Sequence, residues 1–67
     1  MAKVLIVDHQ SSVRKSLRGL LGKYGHEVKE TTSGKAALEI ASNDQVDLML
    51  LDIELPGMDG YQVLSSL

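Results

Sequence analysis

The sequence predicts an α/β fold: a parallel three-stranded sheet of order 2-1-3 with helices on both faces. Three observations carry this. The runs 4–7 and 48–51 are apolar throughout, with none of the alternation expected of a strand covered on one side only. Continuous runs belong to strands buried on both faces, as in parallel sheets. Between and after them the apolar period becomes helical, in the order β-α-β-α-β-α. Crossovers in such units are right-handed in about 98% of cases. The first therefore leads away from strand 1 and the second leads back past it, so strand 1 is central and the first two helices lie on opposite faces.

Each element has its own signal. Val4, Leu5, Ile6 and Val7 form the first strand. Over residues 10–24, Val13, Leu17, Leu20 and Leu21 fall at i, i+4, i+7 and i+8, one stripe of an amphipathic helix. Ser11 or Ser12 is expected to cap it, and Gly25 stands where a helix ends in a left-handed residue. Gly19 and Gly22 weaken this helix by about 1 kcal/mol each relative to alanine. Residues 26–31, HEVKET, alternate and read as a weaker strand near a sheet edge. Ser33 caps a second helix, whose Gly34, Ala37, Leu38 and Ala41 share one face with Ile40 beside it. Asn43-Asp44 closes that helix. Residues 46–52 are the third strand, apolar on both faces, and Asp59 caps a third helix over 60–67.

Composition sets the class. Sixty-seven residues make one small domain, which buries only about 60% of the surface its unfolded chain exposes. With no cysteine, disulfides and thiolate zinc sites are excluded. Tyr24 and Tyr61 are the only aromatics, so the core must be aliphatic. The net charge of −2 offers no basic face for nucleic acid. No apolar run approaches the roughly 20 residues of a spanning helix, and the N-terminus lacks the apolar region of a signal peptide. A soluble, cytoplasmic protein with no membrane partner is expected. No internal repeat, low-complexity segment or linker is present.

The chemistry is concentrated at two strand ends. In parallel α/β sheets, ligands bind beyond the carboxyl ends of the strands, where the strand order reverses. Here strands 1 and 3 flank that point, and they end in Asp8 and Asp52. Adjacent strands lie about 4.8 Å apart, so the two carboxylates can share one divalent cation, with Glu54 just beyond. Oxygen ligands with room for water suit Mg²⁺. The bland alternative is that a strand-end aspartate is a turn former or helix cap. For Asp59 the cap is the better reading. For Asp8 and Asp52, geometry alone leaves both readings open.

Three stretches carry a family resemblance: KVLIVD at 3–8, TTSGKAALEIA at 31–41 and VDLMLLDIELPGMDGYQVL at 46–64. With these spacings the chain resembles the N-terminal half of the receiver domain of two-component response regulators, a flavodoxin-like doubly wound fold. The third stretch is the most specific. The resemblance spans residues 1–67 as a partial receiver domain. It implies that Asp52 accepts a phosphoryl group from a histidine kinase or phosphotransfer protein, with Mg²⁺ as cofactor. It implies metal ligation by Asp8, Asp52 and the backbone carbonyl of Glu54, while Pro56 and Gly57 shape the loop. The module is then a phospho-acceptor and not an enzyme.

Two departures qualify the resemblance. Receiver domains usually carry two neighbouring acids after the first strand, and here the second is His9, a poor ligand for Mg²⁺ and a good one for transition metals. His9 as a loop residue without a role is the competing reading; His26 is read as bland. The chain also stops before the strands that supply the Ser/Thr and Lys of the relay. This predicts a truncated form unable to relay the switch, whose third strand is an edge open to self-association. Two other functions compete: a receiver-like interaction module independent of phosphorylation, and an aspartate-nucleophile phosphohydrolase. The latter also spaces two acids two residues apart, but it does not carry the Pro-Gly-Met-Asp-Gly turn.

Overall fold

The computed structural model describes residues 1–67 other than Pro56 and Met58; the loop-shaping role expected of Pro56 lies outside the described residues. The elements are β1 (Lys3–Val7), α1 (Ser11–Lys23), β2 (Glu27–Thr31), α2 (Gly34–Asn43), β3 (Leu48–Leu51) and α3 (Gly60–Ser66). The strands form one parallel sheet in the order β2-β1-β3, as the handedness argument requires. Val7 lies opposite both Thr31 and Leu51, so the three strands end level. The ladders run one residue further, from the Asp8 N–H to Thr31 O at 3.2 Å and from the Asp52 N–H to Val7 O at 2.8 Å. Asp8 and Asp52 therefore emerge side by side.

Strand side chains alternate between faces, and β1 is covered on both. Leu5 and Val7 pack with Ala37 of α2, Val63 of α3 and Leu55 of the intervening loop, with Met49 and Leu51 against them. Ile6 points the other way, toward Leu17 of α1. Leu5, Ile6 and Val7 are fully buried, each worth about 1.5–3 kcal/mol by removal from water. The core is aliphatic, as the composition demands, and both tyrosines are exposed.

Several details differ from expectation. The N-cap of α1 is Gln10, with no side-chain cap bond, and Ser11 and Ser12 are its first helical residues. Along the predicted stripe Val13, Leu17 and Leu21 are half-buried while Leu20 is exposed. No residue of α1 is fully buried, because a three-stranded sheet is too narrow to cover its whole apolar face. The third strand is shorter than 46–52, and its residues are half-buried or exposed rather than covered on both sides. Leu48 retains 50% of its surface, since among the described residues no strand lies beyond β3 in the sheet.

Helix ends are set locally. Ser33 Oγ accepts from the Ala36 N–H at 3.1 Å, and Gly25 takes the left-handed φ of 83° after α1. Asp59 and Gln62 form a reciprocal capping box at α3.

A carboxylate–imidazole cluster at the candidate functional site

The site is built on the level ends of β1 and β3. The Asp52 side chain is 17% exposed and that of Asp8 19%. Asp52 Oδ1 accepts the Glu54 N–H at 2.9 Å, while Oδ2 meets His9 Nδ1 at 2.8 Å. The Glu54 amide, and after it His9, hold the Asp52 carboxyl below the usual carboxylate range, against the opposing effect of burial. An ionised carboxylate can only accept, so this contact is a hydrogen bond in the tautomer that carries the proton on Nδ1. The same Nδ1 lies 3.9 Å from Asp8 Oδ1. One ligand atom from each of Asp8, His9 and Asp52 lies within 4.8 Å of the others.

The loop after β1 is tied down from two sides. Asp8 Oδ1 accepts the Gln10 N–H at 2.9 Å, a turn that aspartate favours. Arg14 on α1 donates through Nη1 to the Asp8 carbonyl at 2.8 Å and through Nε to Glu30 at 3.2 Å. Arg18 also donates to Glu30, at 2.6 Å, and this bond is the main cause of the lowered Glu30 pKa. Arg14 thus links β2, α1 and the Asp8 loop.

Of the residues singled out in the sequence, Asp8 and Asp52 come together and His9 joins them. Glu54 is exposed, and its N–H is engaged by Asp52. Asp59 caps α3 and His26 accepts the Ala2 N–H, so neither belongs to the cluster. The role of Arg14 was not legible; its only signal was a cation one turn into the helix that follows the acidic loop. Beside the cluster an open groove of ≈ 310 Å³ is lined by Ile6, Leu17, Leu50 and Leu51 and ends at Asp8 and Asp52.

Comparison with known proteins settles the family. The model of the response regulator receiver domain matches residues 4–67. The chain belongs to this receiver family. It is 40% identical over 62 residues to the sporulation initiation phosphotransferase F of Bacillus subtilis, covering 92% of this chain and 50% of that protein. It is 34% identical over 67 residues to Protein PilH of Pseudomonas aeruginosa, covering all of this chain and 55% of that protein. The chain thus spans about half the length of these curated relatives.

Among solved structures, response regulator protein TrrA of Thermotoga maritima in complex with Mg²⁺-BeF superposes with a TM-score of 0.92 at 33% identity, covering 98% of this chain and 57% of that one. A structure of histidine kinase ThkA in complex with TrrA gives a TM-score of 0.91 at 33% identity, with the same coverage of 98% and 57%. The two carboxylates of the receiver fit a divalent cation, and the imidazole of His9 is the one nitrogen among the donors. Among the described residues, no helix is long and apolar enough to cross a membrane.

Proposed function

We propose that the chain is a phospho-accepting receiver module of two-component signalling, in which Asp52 takes a phosphoryl group from a phosphohistidine of a histidine kinase or phosphotransfer protein. One observation carries the reading. Asp52 stands at the end of a strand beside Asp8, with Oδ1 held by the Glu54 amide and Oδ2 in contact with the half-exposed ring of His9. A carboxylate fixed on a rigid ledge is a positioned nucleophile. In the step itself, Oδ2 attacks phosphorus and the P–N bond to the donor imidazole breaks. Its electron pair stays on that nitrogen, leaving an acyl phosphate on Asp52.

Asp8, Asp52 and the Glu54 carbonyl would hold Mg²⁺, which neutralises charge on the phosphoryl group. His9 must leave Oδ2 for the attack to occur. The Mg²⁺-BeF complex of TrrA and its complex with a histidine kinase support this assignment. Residues 1–67 are read as part of a receiver domain acting in the cytoplasm. The outer edge of β3, next to the apolar groove, is read as a surface for self-association.

Incubation with a small acyl-phosphate donor and Mg²⁺ tests the reading. The parent should gain one phosphoryl group, Asp52→Asn should gain none, and chelation of the cation should prevent the gain. If Asp52→Asn labels as well as the parent, the assignment is wrong. If the parent does not label, the phosphorylation-independent interaction module becomes the better reading. The 2.8 Å contact of His9 on Asp52 is the observation that favours it.

A further inference from the structure

We propose that the Asp8–His9–Asp52 cluster is a site for a borderline first-row transition dication, of the Co²⁺ or Zn²⁺ class, with His9 supplying a nitrogen ligand. The inference deepens the phospho-acceptor reading and rests on it for the role of the site. It also departs from that reading, because a purely oxygen-liganded site selects Mg²⁺ and this one does not.

The donor set decides the class of ion. Carboxylate and carbonyl oxygens suit Mg²⁺, whereas imidazole suits Zn²⁺, Cu²⁺, Fe²⁺ and Ni²⁺. Replacing one oxygen donor by nitrogen weakens the case for Mg²⁺ and strengthens it for the later ions of the series. The geometry agrees. Donors 2.0–2.2 Å from a tetrahedral ion lie about 3.4 Å apart. In the cluster, His9 Nδ1 is 2.8 Å from Asp52 Oδ2 and 3.9 Å from Asp8 Oδ1, which brackets that separation. One donor atom from each of the three residues lies within 4.8 Å of the others.

The surroundings support binding. Asp8 and Asp52 each have one oxygen oriented by a backbone N–H, from Gln10 and Glu54, which fixes the carboxylates as outer partners of a metal ligand do. Arg14 anchors the loop that carries His9 by holding the Asp8 carbonyl. The His9 side chain is 42% exposed, so the ring can turn and solvent can complete the coordination. The ion would take the place of the hydrogen bond between His9 and Asp52: the proton on Nδ1 passes through solvent to Nε2, and the freed lone pair of Nδ1 turns from the nucleophile to the metal.

Calorimetric titration of the 67-residue chain with Co²⁺, Zn²⁺ and Mg²⁺ tests this, with His9→Gln, His9→Asp and, as a control for the other imidazole, His26→Gln. Circular dichroism checks that each variant folds. The ratio of Mg²⁺ to Zn²⁺ dissociation constants should fall at least tenfold in both His9 variants and stay unchanged in His26→Gln. With Co²⁺, the His9 ring protons should show large paramagnetic shifts. An unchanged ratio in the His9 variants, or Co²⁺ shifts centred on His26, overturns the proposal. Phosphoryl labelling of Asp52 is scored separately. Binding through His9 without labelling leaves the metal site standing and removes the phospho-acceptor role; labelling with a ratio insensitive to His9 does the reverse.

Discussion

Gly60 and Ile53 are in backbone contact: the Gly60 N–H donates to Ile53 O at 2.9 Å, and a Cβ at residue 60 would lie 2.4 Å from Ile53 Cα. The same Cβ would lie 2.9 Å from Asp52 O. The start of α3 is thus pressed against the segment that leaves β3 with the candidate nucleophile. Because the obstruction is backbone, no rotamer change relieves it. Gly60→Ala is expected to destabilise the fold by about 1–3 kcal/mol, the usual cost of overpacking. Urea denaturation measures it, and a loss below 0.5 kcal/mol, roughly the range of a neutral surface substitution, would show that the contact relaxes freely.

His9→Asp should act on the cation. It supplies an oxygen donor beside Asp8 and Asp52, so Mg²⁺ affinity should rise by on the order of tenfold. NMR titration of the parent and variant reads this directly. Equal affinities would mean that His9 lies outside the coordination sphere.

Acid should unfold the chain through its paired carboxylates. Glu30 is held below its ordinary 4.5 by Arg18 and Arg14, and Asp52 below its ordinary 3.8 by the Glu54 amide and His9. A depressed folded pKa contributes stability that is fully present above the unfolded value and is lost as pH falls through the folded one. Stability should therefore decline from about pH 4.5 downward, and Glu30→Gln should flatten the upper part of that decline. Melting temperatures across the acid range check this; a Glu30→Gln profile parallel to that of the parent counts against it.

The edge of β3 should govern association. Leu48 is half exposed, Leu50 lines the open groove, and among the described residues no strand pairs with the outer edge of β3. Sedimentation velocity should show mass rising with concentration for the parent. Leu50→Lys should shift the chain toward monomer, since an edge lysine opposes strand pairing. A parent that stays monomeric throughout refutes the association.

Element types and their order were legible in the sequence because they depend on local periodicity. The continuous run of β1 and the helical spacing in α1 and α2 each lie within a few residues. The caps Ser33 and Asp59 bond only three residues ahead, so they too could be read directly. The handedness of crossovers then gave the strand order, and level strand ends put Asp8 beside Asp52.

What the sequence by itself determined was therefore the fold and the pair of acids at its switch point. Tertiary structure alone decided which atoms meet there. His9 is 43 residues from Asp52, and Arg14 is 16 from Glu30. No period or cap specifies a contact at such separations. Gln10 replaced the expected serines as the cap of α1 because the loop from Asp8 is directed by its own turn and by Arg14. The edge position of β3 followed from the strand order, whereas the burial of each α1 side chain depends on how much sheet and helix surround it. Local sequence sets what each segment is; which groups share a site depends on through-space contacts that only the packed layers create.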